Sequence, residues 1–387
     1  MTLEDNFLLH YLKKFDKVPF DITIHGKRHH IGEGDARFSV QLNGDIKKED
    51  LLNSTSLALG EAYMKKNLII EGDLYEALSD FLSQIGGFTA SSHMLKMLRH
   101  AHTKQKEKND VSSHYDIGND FYKMWLDQSM SYSCGYFKNS KDTLYQAQVQ
   151  KVEYILEKLY LKEGMTLLDI GCGWGFLLLR AAKQYKVKGC GITLSEEQFK
   201  EFSKRIEEEH LEEYLTVKML DYHDLPKLKK QFDRIVSVGM LEHVGRENYE
   251  LFMDIIKKVL KPKGLFLLHY ISGQLEQEGD PWIRKYIFPG GQIPSLREIV
   301  NLCPKEDFHI LDVQNLRPHY CETLLRWNAN FQKCKGEVIK KYGEEFARMW
   351  ELYLCSCAAG FRNGVVSLHQ ILMSNGVNNE LPMTRWY

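Results

Sequence analysis

A glycine-rich turn directly after a short apolar run is the feature of this 387-residue chain that most restricts its fold. Residues 166–170 have the composition of a buried strand, and Gly171, Gly173 and Gly175 follow at a spacing of two. The apolar spacing of 174–185 then predicts a helix. Glycines at such a turn let the backbone approach a ligand at the carboxyl end of a strand. The unit therefore predicts an open α/β sheet with a ligand site at this turn.

From residue 111 onward, predicted strands alternate with predicted helices. This alternation is typical of a parallel sheet with right-handed crossover connections. The predicted fold class is α/β, with a doubly wound, mostly parallel, Rossmann-like sheet, and the C-terminal third is expected to be rich in helices. The predicted strands are 166–170, 189–194, 216–220, 234–239 and 264–271, and the predicted helices are 174–185, 196–211, 248–260 and 295–302.

The N-terminal residues have a different pattern, which mixes helical spacing with short strand-like runs at 20–25, 37–42 and 67–71. We interpret 1–95 as a smaller N-terminal α+β domain that carries no catalytic motif and serves either packing or lipid interaction. Residues 96–110 are predicted to be a basic linker, either merely solvated or able to attract anionic lipid headgroups. The catalytic domain is predicted to span 111–387.

Composition excludes several classes of protein. Lys and Arg number 51 and Asp and Glu number 52, a net charge of −1, which argues against a general nucleic-acid binder. No apolar run approaches the roughly 18–20 residues of a spanning helix, and Glu4 and Asp5 stand where a secretory signal carries basic residues. The chain is therefore predicted to be cytoplasmic. Eight cysteines without a CxxC pair predict free, buried thiols, and no metal site is predicted.

The residues around the glycine turn favour one kind of ligand. A dinucleotide fingerprint requires a small residue at position 176, where this chain has Phe176. The next strand lacks the terminal acid that would hold a ribose, although Thr193, Ser195 or Gln198 could substitute. The turn therefore favours S-adenosylmethionine, which has no pyrophosphate. Asp169 is expected either to orient the turn or to reach the methionine ammonium through water.

Several longer motifs point to a family. They are the stretches 115–122, 130–137, 168–175, 191–198 and 232–245, extended by His269 and 317–320. Together they resemble the cyclopropane-fatty-acyl-phospholipid synthase family, also represented by the mycolic acid cyclopropane synthases, within the class I S-adenosylmethionine-dependent methyltransferases. The resemblance covers 111–387 closely and 1–95 more loosely.

The resemblance implies a reaction and its residues. A methylene group passes from S-adenosylmethionine to the cis double bond of an acyl chain in membrane phospholipid, and a bound bicarbonate ion takes a proton from the carbocation. The implied catalytic residues are Cys134, Glu242, His269 and Tyr320, with His243 as the alternative to Glu242. The implied cofactor-binding residues, together with Asp169, are Tyr132, Ser133, Gly171, Gly173, Thr193, Gln198, Asp221 and Tyr222.

A carbocation needs a dry pocket, and aromatic faces can stabilise it. A further hypothesis places Trp282 and residues 288–291 in a loop over the acyl site, with a structural turn as the alternative. The aromatic residues dense enough to line the pocket are Tyr115, Phe121, Tyr132, Tyr136 and Phe137.

The expected partner is a phospholipid bilayer with unsaturated acyl chains, bound peripherally at the inner face of the membrane, and the family resemblance implies a homodimer. Candidate docking segments are the first helix, the basic linker and the lysines at 257, 258, 261 and 263. Two alternatives remain open. One is a methyltransferase that acts on an acyl carbon or an amine without ring closure, and the other is a lipid carrier without catalysis.

Overall fold

The computed structural model describes residues 3–13, 15–84, 117–385 and 387. The first part of the chain forms α1 (Leu3–Leu12), β1 (Phe20–Ile24), β2 (Lys27–Ile31), β3 (Ser39–Leu42), α2 (Lys48–Asn53), α3 (Thr55–Met64), β4 (Leu68–Glu71) and α4 (Leu74–Ser83). The middle part forms α5 (Asn119–Trp125), α6 (Leu144–Lys158), β5 (Thr166–Ile170), α7 (Phe176–Tyr185), β6 (Lys188–Thr193), α8 (Glu196–Glu208), β7 (Leu215–Met219), β8 (Phe232–Val238), α9 (Tyr249–Val259) and β9 (Leu260–Ser272). The remainder forms β10 (Gln277–Glu278), α10 (Pro281–Tyr286), β11 (Gln292–Ile293), α11 (Leu296–Leu302), β12 (Phe308–Asn315), α12 (Arg317–Tyr342), α13 (Glu344–Arg362) and β13 (Ser367–Asn375).

The described residues group into two compact units that interleave along the chain. The first unit draws its residues from 1–89, 279–287 and 321–365, and the second from 90–278, 288–320 and 366–387. The sequence-based boundaries, by contrast, assign 279–287 and 321–365 to the catalytic domain. The predicted linker at 96–110 lies outside the described residues.

The first unit combines a small sheet with helices from distant parts of the sequence. Its strand order is β2-β1-β3-β4, with β1 parallel to β3 and the other pairs antiparallel. Helix α13 packs against α3 and α4, and α10 packs against α3. Trp282 of α10 is 3% exposed, and a Cβ atom at Gly60 would lie 2.4 Å from its ring. Trp282 is thus a core residue here, which favours the structural alternative over an acyl-site loop.

The second unit is built on a seven-stranded sheet with the order β12-β13-β9-β8-β5-β6-β7. Strands β5 to β9 are parallel, which confirms the predicted doubly wound, mostly parallel α/β class. Two further strands, β12 and β13, run antiparallel at one edge and were not predicted. The chain proceeds from β5 in one direction and returns through β8 in the other. The switch point between β5 and β8 is where open α/β sheets bind ligands.

The core of this unit covers both faces of the sheet. Alternate residues of β9 point to opposite sides, so Leu267 joins one apolar cluster and Phe266 the other. Helices α6, α7 and α8 contribute to the cluster that contains Leu267, and α9 and α11 contribute to the cluster that contains Phe266. Within the described ranges, no helix is both long and apolar enough to cross a bilayer.

The four lysines proposed as membrane contacts all have acidic partners. Each lies within ion-pair distance of a carboxylate, so its charge is partly neutralised. Such exposed pairs are individually worth little to stability, but they leave less free positive charge for lipid headgroups. The pairs are Lys257–Asp307 at 3.3 Å, Lys258–Asp254 at 2.6 Å, Lys261–Asp233 at 2.8 Å and Lys263–Glu380 at 2.6 Å.

Candidate active site

The glycine turn after β5 forms the floor of a cavity at the carboxyl edge of the large sheet. The N–H groups of Gly171 and Cys172 each donate to the Ile192 carbonyl at 3.0 Å, which ties the turn to β6. Gly175 has a φ of 84°, and a Cβ atom there would lie 2.0 Å from the ring of Phe202. Only glycine fits this position, because both the backbone angle and the packing exclude a side chain.

The cavity is lined by residues from every strand end that surrounds the switch point. The predicted cofactor-binding residues line it, with one exception, and Phe176, Trp174 and His243 line it as well. Their role in binding a cofactor stays a prediction. The predicted residues that line the cavity are Tyr132, Ser133, Asp169, Gly171, Gly173, Thr193, Gln198 and Tyr222.

Asp221 is the exception, because it does not line the cavity. Its carboxylate accepts hydrogen bonds from the backbone N–H of His223 at 3.0 Å and from the His223 ring at 2.7 Å. It caps the 3₁₀ turn Tyr222–Leu228. Ser195, a candidate for holding a ribose, is likewise used as a cap, since its hydroxyl accepts from the backbone N–H of Gln198 at 3.3 Å.

Thr193 and Gln198 form a prepared hydrogen-bonding pair. The Thr193 hydroxyl accepts from the N–H of Ser195 at 3.1 Å and donates to the Gln198 side-chain oxygen at 2.7 Å. This arrangement fixes the amide orientation and turns its two N–H groups toward other acceptors. The pair can therefore donate to a hydroxyl or carbonyl oxygen of a bound ligand.

A buried lysine that the sequence analysis missed lies at the same cavity. Lys151 of α6 is 5% exposed, lines the cavity and donates to the Ser133 hydroxyl at 3.0 Å. Burial lowers its pKa to about 8. The sequence does contain a sign of its burial. Lys151 falls on the apolar stripe of α6, one turn after Ala147 and one turn before Ile155.

Asp169 is the matching buried acid. It is 3% exposed and lies at the end of β5. Burial raises its pKa to about 7, and the nearby Lys151 ammonium opposes that rise. The cavity thus carries one buried acid and one buried base.

The predicted catalytic residues do not line this cavity, but Glu242 and the strand that carries His269 are joined at the same carboxyl edge of the sheet. Glu242 lies in the 3₁₀ turn Leu241–His243 after β8, and its Oε1 accepts from the N–H of Ile271 at 2.6 Å. His269 lies two residues before Ile271 on β9. Glu242 Oε2 and His269 Nε2 are buried and have no hydrogen-bond partner among the described residues.

Burial sets the protonation of this pair. It raises the pKa of Glu242 to about 7 and lowers the pKa of His269 to about 3, helped in the second case by Lys151. Nε2 of Gln370 lies 3.3 Å from His269 Nδ1. With the Gln370 amide in this orientation its nitrogen donates, so Nδ1 accepts and the neutral ring carries its proton on Nε2. His269 therefore presents a donor, and Glu242 can hold or release a proton near neutral pH.

Cys134 and Tyr320 lie on segments that contact each other. The Cys134 thiol is fully buried and donates to the Gly135 carbonyl at 3.1 Å, and Tyr320 is partly buried at the start of α12. The N–H of Phe137 donates to His319 Nδ1 at 3.1 Å, and the Tyr136 ring stacks on His319 at 4.7 Å. The residues next to Cys134 and Tyr320 are therefore packed together.

His243, the alternative to Glu242, faces the cavity itself. Burial lowers its pKa to about 4, so the ring is neutral, and its Nδ1 has no partner in the part of the chain that the structure describes.

The predicted aromatic wall is present in part. Tyr132 lines the cavity and packs on Tyr122 and Trp125 with centroid distances of 5.4 and 5.5 Å. Tyr136 instead packs on Tyr154 and His319, and Tyr115 lies outside the described residues.

Comparison with known proteins places the chain among its relatives. Residues 102–371 match the family described as mycolic acid cyclopropane synthetase, and residues 7–93 match a domain of unknown function. The chain is 38% identical over 369 residues to the cyclopropane-fatty-acyl-phospholipid synthase of Escherichia coli strain K12, across 90% of this chain and 94% of that protein. It is also 38% identical over 340 residues to a probable fatty acid methyltransferase of Pseudomonas putida, across 84% of this chain and 85% of that protein.

A solved structure gives the same result. Mycolic acid cyclopropane synthase CmaA1, crystallised with SAH and CTAB, matches with a TM-score of 0.65 and 34% identity, across 69% of this chain and 98% of that one. The sequence match to the family extends over more than half of the chain, and it includes the glycine turn and the strand ends described above. The resemblance inferred from the motifs is confirmed, and this chain belongs to the mycolic acid cyclopropane synthetase family.

Proposed function

We propose that this protein transfers a methylene group from S-adenosylmethionine to the cis double bond of an unsaturated acyl chain in phospholipid, forming a cyclopropane ring. The observation that carries the proposal is the cavity at the sheet's switch point, where the glycine turn meets Lys151, Asp169 and Gln198. These groups suit a nucleoside that carries an amino acid and no pyrophosphate. The E. coli relative is named for a phospholipid product, and CmaA1 was crystallised with SAH, which supports both substrates.

The chain's residues fit distinct parts of this chemistry. Bound in the cavity, S-adenosylmethionine supplies an electrophilic methyl group. The alkene's electron pair forms the new carbon–carbon bond, the methyl–sulfur bond breaks toward sulfur, and ring closure releases one proton. Placing the alkene in line with that bond can supply about 7–11 kcal/mol of the barrier. The faces of Tyr132 and Trp174 at the cavity can stabilise positive charge and help to exclude water.

The proposal also specifies which group accepts the proton that ring closure releases. We infer that it passes to a bicarbonate ion held by Cys134, Glu242, His269 and Tyr320. Two buried atoms without partners support this inference, Glu242 Oε2 and the Nε2–H of neutral His269 at the same sheet edge. A Glu242 carboxyl that keeps its proton part of the time near pH 7 can donate to an anion rather than repel it.

The test is product analysis with vesicles of phospholipid that carries cis-monounsaturated acyl chains. We expect S-adenosylmethionine to yield lipid heavier by one CH2 group that resists mild hydrogenation, because the double bond is consumed. We expect H269A to lose most turnover while it keeps wild-type affinity for S-adenosylhomocysteine by calorimetry. We also expect removal of bicarbonate to slow the wild type far more than H269A.

Other outcomes separate the alternatives. A heavier lipid that still takes up hydrogen would mean methylation without ring closure. The Pseudomonas putida relative is named a probable fatty acid methyltransferase, which is compatible with either product. Tight binding of S-adenosylhomocysteine without any modified lipid would reject the lipid substrate and keep the cofactor. The homodimer and the peripheral docking on a bilayer stay predictions.

A further inference from the structure

Two opposite buried charges face the cavity without being paired. Lys151 and Asp169 are 5% and 3% exposed, and both line the cavity. Neither lies within ion-pair distance of the other or of any other residue in the described ranges, although each charge favours the charged form of the other through space. The Lys151 ammonium has three N–H groups, and its hydrogen bond within the described chain goes to a neutral acceptor, the Ser133 hydroxyl at 3.0 Å. Apart from this attraction across the cavity, neither charge has a direct ionic partner within the described residues.

Leaving buried charges without partners is costly, and both groups respond to that cost. The pKa of Lys151 falls to about 8 and the pKa of Asp169 rises to about 7, in each case because burial disfavours the charged form. A ligand that brings one carboxylate and one ammonium would relieve both penalties together. An α-amino acid group has this pair of charges.

A second lysine on the same helix shows what a purely structural buried cation looks like. Lys158 of α6 is fully buried, but its ammonium donates to Asp312 at 2.7 Å and to Gln314 at 2.8 Å, and it lies 4.4 Å from the Tyr154 ring centroid. The ammonium group of Lys158 thus has a carboxylate, an amide oxygen and an aromatic ring of the protein around it. Lys151 lies about two helical turns away and has no such set of partners.

The orientation of Lys151 is fixed by its surroundings. Gln148, one turn before it on α6, donates to the Ser133 carbonyl at 2.8 Å, and Lys151 donates to the Ser133 hydroxyl. The segment that carries Tyr132 and Ser133 is therefore held by two side chains of one rigid helix. The remaining N–H groups of Lys151 are free to meet a ligand in the cavity.

We propose that Lys151 is the counter-charge for the carboxylate at the amino-acid end of the cofactor, while Asp169 faces its ammonium group. This inference rests on the proposed function, because it takes S-adenosylmethionine as the ligand of the cavity. It assigns to α6 a ligand-binding residue that none of the sequence motifs contains. The amino-acid end is anchored by charge, and this anchor fixes the direction in which the sulfonium methyl points.

The experiment compares two ligands and three proteins by calorimetry. The ligands are S-adenosylhomocysteine and its decarboxylated analogue, and the proteins are the wild type, K151M and the matched control K158M. We expect K151M to bind S-adenosylhomocysteine about 10- to 100-fold more weakly, the loss typical of a hydrogen bond to a charged group. Because the analogue has no carboxylate, its affinity should be nearly the same for K151M as for the wild type. K158M should keep the wild-type ratio of the two affinities, even if its stability falls.

Two results would overturn the inference. One is an equal loss of affinity for both ligands in K151M, which is the mark of a structural role. The other is a wild type that binds the two ligands equally well. If K151M does not fold, K151R and K151Q replace it, with the affinity ratio retained in K151R and lost in K151Q. A wild type that binds neither ligand would reject the proposed cofactor itself, and it is distinguishable from both results.

Discussion

Burial decides which polar side chains at the sheet edge carry charge near neutral pH. It lowers the pKa of His243 to about 4 and the pKa of His269 to about 3, so both rings are neutral. It raises the pKa of Glu242 to about 7. All three shifts have the same cause, since removing a charge from water costs free energy. A small anion at this edge therefore meets neutral donors and a carboxyl that can keep its proton.

Glu242 makes a testable contribution to stability. Its pKa rises from 4.5 to about 7 on folding, so the folded state holds the proton more tightly than the unfolded state. This stabilisation is complete below pH 4.5 and is lost as the pH rises to about 7. In E242Q the loss is absent. We expect the unfolding free energy of E242Q relative to wild type to increase by about 3 kcal/mol between pH 4.5 and 7.5, measured by urea denaturation.

An exposed acid serves as the control for this measurement. E212Q changes a solvent-exposed glutamate, so its unfolding free energy should follow the wild type across the same pH range. A constant difference between E242Q and wild type at all pH values would show that Glu242 is ionised in the folded protein like an exposed acid.

At the residue scale, the site residues that could be predicted are those that belong to short, continuous motifs of the sequence. The glycine turn and the polar residues at strand ends are adjacent in the chain, so Asp169 and Thr193 could be placed at the cavity in advance. Lys151 could not, because it lies in a helix remote from any motif and its burial depends on how α6 packs. The Asp221 carboxylate bonds to the His223 ring, and its predicted place near the cofactor stays a prediction.

At the scale of elements, two glycines inside helices have different surroundings: one is closely packed against another helix, and the other is not. Gly60 of α3 lies against the Trp282 ring, whereas a Cβ atom at Gly336 of α12 would meet no atom within 4 Å. The two glycines form a matched pair, since alanine improves helix propensity at both. Only at Gly60 must the added methyl group compete with a buried indole.

We expect G60A to lower the unfolding free energy by about 1–3 kcal/mol through overpacking. G336A should be neutral or stabilising by up to about 1 kcal/mol. Thermal and urea unfolding of both variants would measure this. If G60A were as stable as G336A, α3 and α10 would not be as close as described.

The antiparallel strands show why part of the sheet was missed. β13 is almost wholly buried, yet it carries Gln370, Ser374 and Asn375. Ser374 and Asn375 find partners in the fold, since Ser374 donates to the Gly376 carbonyl at 2.8 Å and Asn375 donates to the Leu260 carbonyl at 2.7 Å. Its sequence has neither the alternation of a half-exposed strand nor the apolar run of a fully buried one. The five parallel strands were predicted, although β9 begins at Leu260 rather than at residue 264.

At the scale of the whole molecule, the first unit is assembled from segments that lie far apart in the sequence. α3 and α4 pack against α13, which follows them by more than half of the sequence. Removing residues 1–95 therefore takes away the helices that cover α13 and α10. A loss of activity on vesicles in such a deletion could therefore come from the exposed core of the first unit as well as from a lost lipid contact.

We expect the chain without residues 1–95 to bind hydrophobic dyes and to be cut readily by proteases within 321–365. A full-length chain with a protease site inserted in 96–110 is the control. After cleavage its two pieces should stay together through size-exclusion chromatography, because their packing is intact. A truncated chain that resists proteolysis there and unfolds cooperatively would contradict this view of the first unit.

The interleaved units also have a consequence for how the protein is made. Residues up to Ser83 leave the ribosome long before Arg362, the end of α13, has been added. At ordinary elongation rates of about 5–20 residues per second, this wait lasts tens of seconds. During that time the small N-terminal sheet and its helices emerge without their packing partners. The faces of α3 and α4 that pack on α13 stay uncovered for that time, and we expect a messenger RNA that speeds translation of the final third to improve the yield of folded protein.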